Sequence, residues 1–406
     1  MNSVEVEAAA TRGAAATAKA SAKVIANAII CLALFGACAG TTPALADVSG
    51  QQRAQEAGRA LIGSPAPPLV LKTIDGETID LGSLYGKRAV YLKFWATWCV
   101  PCRQQMPHFQ HAYETAGADM AVIAIDVGFN DSIDAVKAYR KRLGITMPIV
   151  FDDGSLGAAF RLRVTPTHIV IGRDGRIQYI GHLADGELDA ALTAARAPAA
   201  AGVFAATGAA AARSAAAGKP QAIVAADPAP IAVGDLLPNK SVRTIDGQRF
   251  EFRTSALESS TAQSGAAQSR AAKSDGAQQK LTVLVFLSPW CESYLATTRP
   301  EASASCRGAR EQFSALADDA HLRWLGIASG LWANADDLRK YRSQYQVTIP
   351  LTLDASGEEF RAFRVNDVPT FLIADAHGRI ISRLEGKATQ DTAALRTALS
   401  SAGGAR

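Results

Sequence analysis

The stretch FWATWCVPC occupies residues 94–102 and places two cysteines directly after the apolar run AVYLKFW. That run has the pattern of a buried strand, and the following CRQQMPHFQHAYETA has the pattern of a helix, which Pro107 is expected to kink. At a helix N-terminus, free N–H groups and the helix dipole stabilise a thiolate, and a residue three positions later lies one turn away. The spacing therefore predicts Cys99 as a nucleophile and Cys102 as the cysteine that resolves a mixed disulfide.

A zinc site and a static disulfide are the alternatives for this cysteine pair. A zinc site usually needs a second pair of ligands at suitable spacing. His108 and His111 are the nearby candidates, and their spacing on a helix indicates that they face solvent instead. The pattern favours redox chemistry and predicts no metal.

The composition indicates a folded chain of two domains. The 406 residues are 48% apolar and 20% charged, which is enough apolar material for a sizeable core. Lys and Arg number 42 against 38 for Asp and Glu, a formal net charge of +4, with no long basic run. The charge pattern therefore excludes a nucleic-acid footprint.

The N-terminal sequence predicts an exported protein. Three basic residues precede an apolar stretch over residues 24–39, and Ala-Leu-Ala at 44–46 supplies the small residues that a signal peptidase requires. We expect a signal peptide over residues 1–46, cleavage before Asp47 and a soluble periplasmic protein. The competing reading is a lipoprotein anchored at Cys38, for which Phe35 is an atypical residue in the recognition box.

An internal repeat runs through the remaining chain. KTIDGETIDL at 72–81 reappears as RTIDGQRFEF at 243–252, and later matches keep the same order, with offsets of 192 from Trp98 to Trp290 and 203 from Pro166 to Pro369. Ordered matches of this kind indicate duplication. We expect domains over 60–197 and 231–402, an Ala/Gly/Pro-rich linker over 198–230 and a disordered Ser/Ala/Gln-rich loop over 254–280.

Each copy reads as strand, helix, strand, helix and a terminal hairpin followed by a helix, which predicts the α/β class. Together with VTPT downstream, FWATWCVPCRQQMP resembles the thioredoxin fold of exported TlpA-like and ResA-like thiol-disulfide oxidoreductases. The resemblance covers residues 61–198 and, more weakly, 231–402. It implies two tandem thioredoxin-like folds, each a central mixed sheet flanked by helices.

The resemblance also implies the substrate-binding residues. In this family a cis proline faces the cysteine pair and lets the backbone before it pair with an extended substrate strand. The matching positions are Thr165 and Pro166, with Trp98 beside the first cysteine. In the second copy, DVPT makes Pro369 the candidate cis proline.

The second copy has no cysteine three residues after Cys291. Counted from the preceding strand, Cys291 takes the position of Cys99, and counted from the following helix, Cys306 takes the position of Cys102. Twelve residues are therefore inserted between them, within ESYLATTRPEASAS. A continuous helix would hold the pair about 22 Å apart, so the chain must turn back, at a break near Pro300, if the two cysteines bond.

Two hypotheses follow for Cys291 and Cys306. They form either a structural disulfide that closes a surface loop or a working dithiol that exchanges electrons with Cys99 and Cys102. The longer spacing loses the helix-start environment of the first pair, which favours the structural disulfide.

The resemblance implies a reductase that acts on exported partner proteins in cytochrome or copper-site maturation. It reduces their disulfides, or keeps their metal- and haem-binding cysteines reduced. It implies a membrane thiol-electron donor of the DsbD or CcdA type, and no cofactor other than the redox-active disulfide Cys99–Cys102. The alternative is a binding or assembly module, in which the second domain recognises a partner and the first protects its thiols. A peroxidase is disfavoured because no Pro and Thr precede a lone cysteine at the expected spacing.

One position departs from thioredoxin itself. Thioredoxin carries a buried Asp six residues before the first cysteine, where this chain has Lys93. A buried lysine could stabilise the thiolate by its charge, or the side chain could extend outward with only a structural role. We expect the outward, structural arrangement.

Overall fold

The computed structural model describes residues 42–197, 230–253 and 280–404. The chain divides into two compact units, Met1–Ser49 and Gly50–Arg406, and both five-stranded sheets belong to the second unit. Most of the predicted signal peptide, linker and loop, together with Cys38, lies outside the described residues. A helix, α1, spans Thr42–Gly58 and includes the predicted cleavage point. Within the described ranges, no helix is both long and apolar enough to cross a bilayer.

The first domain is built on a five-stranded mixed sheet. Its elements are β1 Val70–Lys72, β2 Thr78–Asp80, α2 Leu81–Leu84, β3 Ala89–Trp95, α3 Val100–Gln104, α4 Met106–Glu114, β4 Met120–Asp126, α5 Ile133–Leu143, β5 Ile149–Phe151, α6 Ser155–Ala159, β6 Thr167–Ile171, β7 Ile177–Gly181 and α7 Gly186–Ala195. The strand order is β5-β4-β3-β6-β7. Strands β3, β4 and β5 are parallel, and β6 and β7 run antiparallel to their neighbours.

The second domain repeats this plan. Its elements are β8 Ser241–Arg243, β9 Arg249–Glu251, β10 Leu281–Leu287, α8 Cys291–Thr298, α9 Pro300–Ala315, β11 Leu322–Ser329, α10 Ala335–Tyr345, β12 Leu351–Asp354, α11 Glu358–Ala362, β13 Thr370–Ala374, β14 Ile380–Glu385 and α12 Thr392–Gly404. The order β12-β11-β10-β13-β14 matches that of the first sheet. The predicted α/β class, with two mixed sheets flanked by helices, is confirmed.

Local sequence signals explain the element ends. Ser132 caps α5, and Gly144 ends it with a φ of 63°, a conformation that glycine adopts without strain. In the second domain, Asn334 and Asp337 form a capping box at the start of α10. The helix is interrupted between α3 and α4 at Gln105, two residues before Pro107, so the expected kink is confirmed.

The repeated TIDG segment has the same role in both domains. Asp75 pairs with Arg140 of α5 at 2.5 Å, and Asp246 pairs with Arg342 of α10 at 2.5 Å. Each pair ties the hairpin that precedes the sheet to the helix that follows its second central strand. The repeat in sequence is therefore a repeat in tertiary contact.

The cores of the two domains meet. One apolar cluster includes Trp98 and Phe129 of the first domain and Phe286 and Phe360 of the second. The Phe129 and Phe360 rings lie 6.0 Å apart, centroid to centroid. The cysteines Cys99, Cys102 and Cys291 belong to this same cluster, and Cys306 packs against it.

Candidate functional site

The CVPC motif lies after the end of β3, at the start of α3. Cys99 is the cap residue of α3, and its sulfur accepts a hydrogen bond from the Cys102 N–H at 3.2 Å. The two cysteines form a disulfide with a Cα–Cα distance of 5.2 Å. A sulfur at this position meets the unpaired N–H groups of the first helical turn, which stabilise a thiolate after reduction.

Two cis peptide bonds occur at matching positions. They join Thr165 to Pro166 and Val368 to Pro369, as the family resemblance implied. Thr165 is fully buried, and the Pro166 carbonyl accepts a hydrogen bond from His182 Nδ1 at 2.7 Å. In the second domain, the sulfur of Cys306 lies 3.8 Å from the Val368 carbonyl oxygen.

The second pair of cysteines also forms a disulfide. The Cα–Cα distance from Cys291 to Cys306 is 6.2 Å. Helix α8 ends at Thr298 and α9 begins at Pro300, so the predicted break and return of the chain are confirmed. Cys291 is fully buried and is the first residue of its helix instead of the cap, so the two pairs differ in their position relative to the helix start.

The second domain covers the CVPC motif. The Trp98 and Trp290 ring centroids are 5.0 Å apart, and Tyr294 Oη accepts a hydrogen bond from Val100 N–H at 3.0 Å. Trp332 Nε1 donates to Thr165 Oγ1 at 3.2 Å, on the residue expected to contact substrate. In this arrangement Cys99 is only 1% exposed.

Arg299, which separates α8 from α9, makes a charged contact to the first domain. Its guanidinium donates to the Asn130 carbonyl at 2.8 Å, to Asp131 Oδ1 at 3.0 Å and to Thr97 Oγ1. The Asp131 side chain is fully buried and also accepts from the Thr97 N–H at 2.8 Å. A buried carboxylate thus receives its counter-ion from the other domain.

Two hydrogen bonds across the interface are related by the repeat. Asn130 N donates to the Asn366 carbonyl at 2.8 Å, and Trp332 N donates to the Arg163 carbonyl at 2.8 Å. Asn130 and Trp332 occupy the same position after the second central strand of each domain, with φ values of 50° and 58°. The domains therefore face each other through equivalent loops, in a two-fold-like arrangement.

The sequence interpretation did not identify Tyr294, Arg299, Asp131 or Trp332 as site residues. A usable signal existed for the first two, because they lie in the segment inserted between Cys291 and Cys306. An insertion within an active-site motif alters the surface above that motif. The residues it contacts in the other domain carried no comparable signal.

Lys93 lies inside the first sheet, and the expectation that it extends outward is wrong. Its side chain is fully buried, and among the described residues Nζ has no hydrogen-bond partner. Nζ lies 5.3 Å from the centre of the Phe109 ring. Burial lowers the pKa of Lys93 to about 7, because the charged form loses its hydration.

Two further buried titratable groups, Asp126 and His168, lie near the motif. Burial, and then the Asp131 charge, raise the pKa of Asp126 well above its usual value. Burial lowers the pKa of His168 well below its usual value, so the ring stays neutral between Tyr91 and Gln105. His108 pairs with Asp189 at 2.9 Å. Among the described residues, no group of three or more His, Cys, Asp or Glu is placed to hold a metal.

Comparison with known proteins places this geometry in a family. The sequence model of the AhpC/TSA family matches residues 62–180, within the first domain. Thioredoxin-like protein YneN of Bacillus subtilis is 33% identical over 130 residues, which are 31% of this chain and 76% of YneN. Thiol-disulfide oxidoreductase ResA of Bacillus anthracis is 33% identical over 132 residues, which are 32% of this chain and 75% of that protein.

The chain belongs to the thioredoxin-like thiol-disulfide oxidoreductases. ResA of Bacillus subtilis is 34% identical over 117 residues, which are 28% of this chain and 64% of ResA. Among solved structures, a thiol:disulfide interchange protein from Chlorobium tepidum is 29% identical, with 33% of this chain and 97% of that chain covered and a TM-score of 0.31. As a member of this family, the protein is a protein-disulfide oxidoreductase.

Proposed function

We propose that the protein is exported and reduces disulfide bonds of exported partner proteins through Cys99 and Cys102. The observation that carries the proposal is the position of Cys99, whose sulfur caps α3 and accepts the Cys102 N–H. A thiolate at a helix start is a good nucleophile and a good leaving group in disulfide exchange. The cis bond at Pro166 supports a substrate-binding role for Thr165 and Pro166.

The reaction passes two electrons from the dithiol to the partner. The Cys99 thiolate attacks one sulfur of the partner disulfide, which forms a mixed disulfide and releases one partner thiolate. Cys102, once deprotonated, attacks Cys99 Sγ and releases the second partner thiolate, so that Cys99–Cys102 closes as a disulfide. The released thiolates take up protons, and a membrane thiol donor of the DsbD or CcdA type restores the dithiol.

The proposed partners are exported proteins with disulfides or with haem- or copper-binding cysteines. Cysteines that must bind a metal or haem have to be reduced in an oxidising compartment, which requires a dedicated reductant. The N-terminal sequence supports export with a soluble product after cleavage near Ala46.

Thiol trapping in cells tests the direction of electron flow. Cells expressing the full chain are quenched with acid, free thiols are alkylated, and the redox state of Cys99 and Cys102 is read by mass spectrometry. A mostly reduced pair that becomes oxidised when the membrane donor is deleted supports the reductase. A mostly oxidised pair would instead indicate an oxidase. A Cys102→Ser variant identifies partners, because it retains them as mixed disulfides on Cys99.

For the second pair we propose a structural role. Cys291 is fully buried, and the disulfide closes the inserted segment that lies on the first domain. Titration of the full chain across graded dithiothreitol, with alkylated cysteines counted in each domain, tests this role. Cys291 and Cys306 should stay oxidised where Cys99 and Cys102 are already reduced. Joint titration of the two pairs would favour electron exchange between the domains.

A further inference from the structure

The inserted segment of the second domain provides side chains that contact the CVPC motif. Tyr294 reaches the Val100 amide and Arg299 reaches Thr97, two residues before Cys99. We propose that this segment completes the first active site, with Arg299 and Tyr294 as positioning residues that change the stability of the Cys99 thiolate in opposite directions. The inference rests on the proposed role of Cys99 as nucleophile and adds a regulator of that same site.

Arg299 supplies positive charge beside the motif. Its guanidinium contacts Thr97, whose Cα lies at most about 7 Å from that of Cys99, two residues further along the chain. It also neutralises Asp131, whose fully buried carboxylate would otherwise repel a thiolate. Removal of Arg299 therefore destabilises the thiolate twice, through the lost positive charge and through an uncompensated carboxylate.

Tyr294 acts in the other direction. Val100 begins α3, so its N–H is one of the donors that the helix itself leaves unpaired and that can stabilise a thiolate. The phenol oxygen of Tyr294 accepts this N–H, and burial raises the pKa of Tyr294, so the phenol stays neutral. A Tyr294→Phe substitution removes the competing acceptor and leaves the ring contacts with Trp98 and Trp290 available.

Other charged and titratable groups surround the motif and provide the background to this effect. They are Lys93 in β3, Arg103 in α3, Asp126 at the end of β4, Tyr139 in α5, His168 in β6 and Asp367 in the loop before β13. Burial raises the pKa of Asp126 and of Asp367, and it lowers the pKa of His168. None of these groups contacts Thr97 or Val100 through a side-chain hydrogen bond among the described residues, whereas Arg299 and Tyr294 do.

The test is the pH profile of Cys99 alkylation in the full chain, reduced under conditions that leave Cys291–Cys306 intact. The Cys99 peptide is quantified by mass spectrometry after timed iodoacetamide pulses. The midpoint of the profile reports thiolate stability, and the plateau at high pH reports access. Arg307→Met is the matched control, because Arg307 pairs with Glu292 at 3.2 Å within the second domain.

Arg299→Met should raise the midpoint by about one pH unit, a tenfold loss of thiolate below the midpoint, since a unit charge about 10 Å away has about that effect at an effective dielectric constant of about 20. Arg299→Lys should restore most of the shift, and Tyr294→Phe should lower the midpoint by a few tenths of a unit. Arg307→Met should leave it unchanged. Unchanged midpoints in the Arg299 and Tyr294 variants, or shifts in the same direction, would show that the segment only covers the site.

This measurement is independent of the proposed function. Alkylation requires no partner protein, so opposite midpoint shifts would support the inference even if the wild-type chain failed to reduce any partner. Conversely, an active reductase with unshifted midpoints would overturn the inference and leave the proposed function in place.

Discussion

The two domains share strand order, helix order and a cis proline, yet they present their cysteines differently. In the first domain the cysteines are three residues apart, and Cys99 caps a helix. In the second they are fifteen apart, and Cys291 is the first residue of its helix instead of the cap, with its sulfur 3.8 Å from the Ala302 carbonyl oxygen. The shared fold therefore does not fix how a cysteine meets the start of its helix. The two domains differ in whether the first sulfur caps the helix and meets its free N–H groups.

The interface between the domains has a symmetric part and an asymmetric part. The backbone bonds of Asn130 and Trp332 are equivalent, as expected for a duplicated domain that packs against its copy. Tyr294 and Arg299 have no counterparts in the first domain, because they lie within the insertion. The duplication thus accounts for the pairing of the domains, and the insertion accounts for the cover over one active site.

The largest effect should come from the two cysteine pairs themselves. Cys99→Ser should abolish reduction of an insulin disulfide, because serine provides no nucleophile for exchange with sulfur. The double variant Cys291→Ser/Cys306→Ser should retain most of the activity. The rate of insulin reduction with dithiothreitol as electron donor measures both. If the Cys291→Ser/Cys306→Ser variant were as inactive as Cys99→Ser, the two cysteine pairs would not differ in their importance for reduction.

The strand beside the motif offers a second contrast, between Lys93 and its counterpart Val285, both fully buried. The pKa of Lys93 is about 7 in the folded protein, against 10.5 for the free side chain. Between these two pH values, the unfolded chain therefore binds one more proton at Lys93 than the folded protein does. Stability should therefore rise with pH across this window, by about 1.4 kcal/mol per pH unit. Lys93→Met should remove the slope and add on the order of 4 kcal/mol at pH 7.

Urea unfolding of wild type and Lys93→Met at pH 7, 8 and 9 measures this difference. Methionine is chosen because it nearly conserves side-chain volume, which limits the cavity that a smaller residue would leave. Parallel pH profiles for the two proteins would mean that the ammonium group finds hydration in the folded state. An unchanged Cys99 alkylation midpoint in the same variant would confine Lys93 to a structural role.

The two disulfides should also differ in their contribution to stability. In the chain-entropy account, a cross-link over about fifteen residues contributes about 3 kcal/mol and one over three to four residues about 2 kcal/mol. Loss of Cys291–Cys306 should therefore lower the free energy of unfolding more than loss of Cys99–Cys102. Urea unfolding of the two double serine variants, without reductant, gives both values. A reversed order would contradict a structural role for the second pair.

Much of this contrast was predictable from sequence. The ordered offsets predicted the duplication, and the hydrophobic period predicted the α/β class. The offset between the two cysteine pairs, together with Pro300, predicted the return of the chain. Cis prolines at Pro166 and Pro369 followed from resemblance alone. The burial of Lys93 was predicted wrongly, because one sequence does not show which face of a fully buried strand a long polar side chain occupies. The contacts of Arg299 and Trp332 could not be predicted, because they depend on how two finished domains pack.

The smallest effect concerns access to Cys99, which is 1% exposed beneath the second domain. A partner disulfide can reach this sulfur only when the domains separate locally, so contacts that hold them together should limit the rate. Trp332 makes one such contact, through its bond to Thr165 and its ring, whose centroid lies 5.5 Å from that of His182. Trp332→Ala should weaken closure by about 1.4 kcal/mol and raise the plateau rate of Cys99 alkylation about tenfold. Val233→Ala, at an exposed apolar position of the second domain, should leave that rate unchanged. Equal rates for wild type and Trp332→Ala would mean that the two-fold-like pairing does not restrict the active site, and that only the insertion distinguishes one domain from the other.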